Sequence, residues 1–204
     1  MPLNFSIVDR FVSTYSETLQ DKTLLRHERY DILQKLREKL WEAMRDSERF
    51  EVELSRVLDV IDATDDYGEL RRHHEQSVEG VRDYFQEERT IVDVYDLFRI
   101  VRDRLTVRAL RLVEKEMERE GRGTVPSRYC WIGLGSEGRD EQTFVTDQDN
   151  MLIYEAAGDD LRGYYSEFAQ RVVDRLDEIG FEKCKGGIMP SNEKWLGSAA
   201  DWKK

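Results

Sequence analysis

The chain has 204 residues, 39% hydrophobic and 10% aromatic, enough to bury a core and too apolar for wholesale disorder. Charged residues make up 37%, and 43 acidic against 32 basic groups leave a formal net charge of -11, which argues against a nucleic-acid coat or a basic membrane-surface role. Charge this dense suits solvated faces of amphipathic helices better than an all-β sandwich. No apolar run approaches the roughly 18 residues of a membrane span, and Met1 to Arg10 carries no secretory pattern, so a cytoplasmic location is expected. Cys130 and Cys184 sit in strand-like stretches without a Cys-x-x-Cys or a nearby His, and read as buried free thiols.

Before Gly121 the pattern is helical. Ile7, Phe11, Tyr15 and Leu19 recur at four-residue spacing. Ile32 or Leu33, Leu36, Leu40 and Met44 form a second stripe, and Phe50, Leu54, Val57, Leu58 and Ile61 a third. Asp65 to Glu88 is weaker, anchored by Leu70, Val78, Val81 and Phe85. From Ile91 to Met117 the stripe runs through Val94, Tyr95, Phe98, Val101, Leu105 and Leu112. Each spacing puts one apolar face on a helix, and several such helices solve their burial problem as a bundle. The expected bundle spans residues 1–122. Its last helix, about 90–120, carries the Ile91–Met117 stripe, which is roughly 40 Å long at 1.5 Å per residue. That exceeds the width of a compact domain of the residues that follow, so the helix is expected to be shared between the two parts.

Gly121 and Gly123 stop that helix and Pro126 prevents its resumption. Tyr129 to Leu134 then reads as a buried strand and Met151 to Tyr154 as a second. Leu161, Tyr165, Phe168, Val172, Leu176 and Ile179 make the most regular helix, closed by Gly180. Phe181 to Met189 is strand-like but interrupted at Gly186-Gly187. The expected fold class is therefore α+β, with the helical bundle followed by a small mixed-sheet domain over residues 123–204.

The chemistry concentrates between Gly133 and Asn150. Gly135, Ser136 and Gly138 follow the first strand, where small residues let backbone amides and a hydroxyl approach a phosphate. Arg139 adds a planar guanidinium suited to phosphate or carboxylate. Asp147-Gln148-Asp149 stands where the next strand begins, and alternation along a strand turns both carboxylates to one side. Two adjacent carboxylates repel each other unless a cation lies between them, and Mg2+ favours one or two carboxylates together with substrate phosphates. Taken singly, a glycine turn is most often only a turn, and an Asp-x-Asp most often a cap. Their order and spacing carry the reading.

Leu134-Gly135-Ser136, ten residues, then Asp147-Gln148-Asp149 resembles the signature of the DNA polymerase β nucleotidyltransferase superfamily. The finer pattern Gly-Ser-x-Gly-Arg-x-Glu-Gln, followed by Thr-Asp-Gln-Asp-Asn, is similar to a narrower group. These are nucleotidyltransferase domains of bacterial signal-transduction proteins, often fused to CBS or cyclic-nucleotide-binding domains and related to the uridylyltransferase that modifies the PII protein. Arg104-Leu-Thr-Val-Arg108, Cys184-Lys-Gly-Gly-Ile-Met189, Asn192, Trp195 and Trp202 extend the resemblance over roughly residues 70 to 202. The resemblance implies that Gly135, Ser136, Gly138 and Arg139 bind the nucleotide. It implies that Asp147 and Asp149 are catalytic and hold Mg2+ or Mn2+. Many active members carry a third carboxylate on a later strand, for which Glu182 is the candidate here. The implied reaction transfers a nucleoside monophosphate from a nucleoside triphosphate to a hydroxyl acceptor, with a protein acceptor and self-association through the helical part left open. An inactive, nucleotide-binding regulatory module is the alternative. A helical interaction protein, with the C-terminal part as scaffold, is a third reading.

Overall fold

The computed structural model describes residues 14–15, 25–88, 91–139, 141, 147–155 and 159–203. Of the first expected stripe, Ile7, Phe11 and Leu19 lie outside the described residues, as do Asp140 and residues 142–146 of the motif segment.

Helix α1 spans Arg26–Ala63. The second and third expected stripes are one helix, because nothing between them breaks the backbone: the span contains neither Gly nor Pro. It ends at Thr64, whose Oγ1 donates to the Val60 carbonyl at 2.7 Å. Asp66 then caps α2 (Tyr67–Glu88), its Oδ1 accepting from the Glu69 amide at 2.8 Å. Helix α3 covers Ile91–Arg119. It stops where Gly121 takes φ +78°, with the Arg122 amide reaching the Met117 carbonyl at 2.9 Å and the Gly121 amide that of Glu118 at 3.0 Å. Those two bonds satisfy carbonyls that the helix end leaves open.

The chain forms two compact units, Met1–Val57 and Leu58–Lys204. In the first, the described part of α1 exposes Tyr30, Leu33, Trp41 and Val52. The second holds every element discussed below. Strand β1 (Tyr129–Gly133) runs antiparallel to β3 (Asn150–Tyr154), pairing Tyr129 with Tyr154 and Gly133 with Asn150. Strand β5 (Leu196–Ser198) joins the other side of β3 in parallel, giving the order β1-β3-β5. A separate parallel pair is made by β2 (Asp147–Gln148) and β4 (Glu182–Lys183). The expected strand over Phe181–Met189 is thus cut to two residues. After Lys183 the chain turns instead, with Gly187 at φ +68° and its amide on the Cys184 carbonyl at 3.0 Å.

Helix α4 (Asp159–Ile179) packs on α2, α3, β4 and β5. Tyr165, Phe168, Val172, Leu176 and Ile179 are buried on it, facing a core that includes Ile61, Leu70, Leu97, Leu105, Met117 and Leu152. Full burial of side chains of this size contributes about 1.5–3 kcal/mol each. The last turns of α3 lie beside β1, where the Tyr129 hydroxyl donates to Glu114 at 2.6 Å. Charges on this helix also fasten the α1–α2 turn. Arg104 pairs with Asp62 at 2.7 Å, and Arg108 donates to the Thr64 carbonyl and to Asp65, each at 2.7 Å. No described helix is long and apolar enough to cross a membrane.

Candidate nucleotide and metal site

The stretch from Asp147 to Asn150 alternates as a strand should. Gln148 and Asn150 are buried, while Asp147 is exposed and Asp149 half-buried. Backbone bonds fix the register on both sides: the Leu134 amide donates to the Asp149 carbonyl at 2.7 Å, and the Asn150 amide to the Ile188 carbonyl at 2.9 Å. The two buried amide side chains act as clamps. Gln148 Nε2 donates to the carbonyls of Val173 on α4 (3.1 Å) and Phe181 (2.7 Å). Asn150 Nδ2 donates to Glu137 at 3.0 Å.

Glu137 in turn meets Arg102 of α3 at 3.2 Å, with both side chains nearly covered. The Arg102 guanidinium also donates to the Asp147 carbonyl at 3.2 Å and lies 4.6 Å over the Phe181 ring. One cation therefore ties α3 to the glycine loop, to β2 and to the segment entering β4. Burial pushes the Glu137 carboxyl up, opposed by the Arg102 charge and by hydrogen bonds from Asn150 and Arg102. The same burial pulls the Arg102 guanidinium down, opposed by Glu137. Such a pair specifies geometry at a desolvation cost, and removing one member is more damaging than never having had it.

The glycine loop rests on this frame. Gly135 has φ +56°, and a Cβ there would collide with Oδ2 of Asp149. The turn thus runs against the carboxylate itself, which only glycine permits. Gly138 folds back onto the strand end: its amide donates to the Leu134 carbonyl at 3.0 Å, and an added Cβ would meet the Gly133 carbonyl at 2.8 Å. Ser136 is half-buried, and its carbonyl accepts from the Glu141 amide at 2.9 Å. Arg139 is exposed and pairs with exposed Glu141 at 2.8 Å. Glu182 is exposed and sits opposite Asp147 in the β2–β4 pair.

Cys184 was not a sequence candidate, and it belongs to the site. Asp147, Asp149 and Cys184 each offer a ligand atom within 4.8 Å of the other two. The β2–β4 offset explains it: Asp147 faces Glu182 and Gln148 faces Lys183, so the next step sets Cys184 across from Asp149. The expectation of two buried thiols is corrected. Cys130 is exposed on β1 and Cys184 half-buried, because β1 ends its sheet and the turn after β4 leaves Cys184 at the rim. Burial pushes the Cys184 thiol up and the two carboxylates push it further, while backbone hydrogen bonds from Ile188 and Gly186 pull it back. Oδ1 of Asp149 is buried without a protein partner. A buried carboxylate oxygen with no donor, beside a second carboxylate, fits a divalent cation.

The sequence signals for the missed residues were weak. Arg102 follows Phe98 by four positions and so falls on the apolar stripe, a charged residue where none is expected. Glu137 and Asn150 lay inside the motif without a separate signal.

The glycine turn is thus packed on paired carboxylates at a strand end and framed by buried amides and one buried ion pair. Residues 75–204 match the family described as putative nucleotidyltransferase DUF294, and the chain belongs to that family. No curated protein and no solved structure matches the chain significantly.

Proposed function

We propose that this chain is a divalent-metal-dependent nucleotidyltransferase. It transfers a nucleoside monophosphate from a nucleoside triphosphate to a hydroxyl acceptor in bacterial signal transduction. The observation that carries the reading is the seating of the Gly135 turn against Asp149, in a chain of a nucleotidyltransferase family. Asp147 and Asp149 would hold Mg2+ or Mn2+, which when bound supplies charge neutralisation to the phosphates and acidifies the acceptor hydroxyl. Gly135, Ser136 and Gly138 form the turn that receives the triphosphate, where absent side chains allow close approach. Arg139, at the rim, would exchange Glu141 for a phosphate oxygen. Arg102 and Glu137 hold the loop and the Asp147 strand at fixed separation, so that both halves meet the same substrate.

Thermal shift with Mg2+ and each nucleoside triphosphate tests binding. Ligand at about 100 times its Kd adds about 2.7 kcal/mol, several degrees in a chain of this size. Release of pyrophosphate, with the nucleotide retained on an acceptor, tests transfer. One observation favours the alternative of a nucleotide-binding regulatory module: the third group gathered with Asp147 and Asp149 is a thiol, not a carboxylate. That reading keeps the nucleotide-dependent shift and gives no pyrophosphate.

A further inference from the structure

The site gathers two hard ligands and one soft one. Mg2+ takes oxygen ligands and gains nothing from a thiol, whereas Zn2+, Co2+ and Cd2+ bind thiolate strongly. Cys184 is placed there by the strand offset and by the turn through Gly187, not by hydrophobic packing. Asp149 brings a carboxylate oxygen within 4.8 Å of the Cys184 sulfur and of Asp147, and its buried Oδ1 makes no hydrogen bond within the protein.

We infer that Cys184 is the third metal ligand of the Asp147–Asp149 site, which thereby takes a thiophilic divalent ion in competition with Mg2+. The inference rests on the metal-site reading proposed above and adds to it which ions the site distinguishes. Binding is a ligand exchange: the Cys184 S–H bond breaks, its proton leaves to solvent, and a sulfur–metal bond forms beside two carboxylate–metal bonds. Three anionic ligands then more than offset the ion's two positive charges, and no electron is transferred. A thiophilic ion so held occupies the carboxylates that Mg2+ needs, so Zn2+ would displace Mg2+ rather than support it.

The test uses the full chain carrying Cys130→Ser, which removes the exposed thiol on β1 and leaves the site untouched. Titration with Co2+ or Cd2+ should give a sulfur-to-metal charge-transfer band in the ultraviolet, saturating at one ion per chain. Adding Cys184→Ser should abolish the band. Asp147→Asn and Asp149→Asn should each weaken the titration at least about tenfold, since loss of even an outer partner of a metal ligand costs that much. Excess Mg2+ should suppress the band competitively. A flat titration in the Cys130→Ser protein overturns the inference, and so does a band that both Asp variants leave at full affinity. Thermal shift of the same Cys130→Ser protein with Mg2+ and nucleoside triphosphate separates the two claims. A nucleotide shift without a band removes the Cys184 role alone. A band without a nucleotide shift keeps the three-ligand site and removes the nucleotidyltransferase reading.

Discussion

The two faces of the Asp147–Asn150 stretch solve opposite problems with adjacent residues. On the inner face Gln148 and Asn150 are fully covered and spend their amide protons on Val173, Phe181 and Glu137. On the outer face Asp147 and Asp149 stand side by side with Cys184, each offering a ligand atom within 4.8 Å of the others. The inner face is organised mainly for stability, since each amide nitrogen donates to a carbonyl or carboxylate that would otherwise be stranded, although Gln148 Oε1 and Asn150 Oδ1 are themselves buried without a protein partner. The outer face is organised against it, since like charges held close cost free energy until a cation arrives. Substitutions should therefore separate cleanly by face.

The largest stability effect should come from the inner frame. Arg102→Met leaves Glu137 buried without its cation and should cost about 3 kcal/mol, lowering the melting temperature by roughly 10 °C. A loss under a degree would mean that the pair is not a structural element. Gly135→Ala strikes the junction of the two faces. It forces a left-handed residue and drives a Cβ into the Asp149 carboxylate. Destabilisation of about 1–3 kcal/mol is expected, together with loss of the Mg2+-nucleotide thermal shift. Normal nucleotide binding by this variant would show that the turn does not need to touch Asp149.

A smaller effect should appear with pH. His74 stacks against Phe181 with ring centroids 4.4 Å apart, and its Nδ1 lies 3.2 Å from the Ile179 carbonyl. Burial holds its pKa below the ordinary value, against the hydrogen bond to Ile179. The unfolded chain then takes up this proton first as pH falls, so stability is full above the ordinary histidine value of about 6.5 and declines beneath it. Urea unfolding between pH 7.5 and 5 should show the decline, and His74→Gln should flatten it. If the slope survives the substitution, another group is responsible. The smallest stability change belongs to the outer face. Asp147→Asn should leave the unfolding free energy within about 0.5 kcal/mol, or raise it slightly, while abolishing the Mg2+-dependent nucleotide shift. A large drop in melting temperature would make Asp147 a structural cap instead.

How much of this was legible depended on how local each signal is. The α4 stripe from Leu161 to Ile179 and its stop at Gly180 were readable because helix periodicity and a left-handed glycine are written in neighbouring residues. The stop of α3 at Gly121 was readable for the same reason. The second and third apolar stripes belong to one helix, since a gap in a stripe need not end the backbone's helical hydrogen bonding. Strand β5 was missed because Leu196–Ser198 is too short to show alternation and exists only through its parallel pairing with β3. Phe181–Met189 has a strand's composition but keeps only two paired residues, because the Gly187 turn removes the rest.

The sequence by itself determined α4, the end of α3, the glycine turn, and the alternation that turns Asp147 and Asp149 one way and Gln148 and Asn150 the other. Each of these follows from backbone conformation within a few residues, where sterics and side-chain periodicity act directly. Only the tertiary structure decided that Cys184 joins the carboxylates, that Arg102 bridges Glu137 and the Asp147 carbonyl, and that Asp149 has a bare oxygen. Those contacts join groups far apart along the chain, such as Arg102 and Asp147 at a sequence separation of 45. No local preference encodes them. They are set by strand register and by how α3 packs against the second unit's sheet and helices, where burial makes each unpaired charge expensive enough to select its partner.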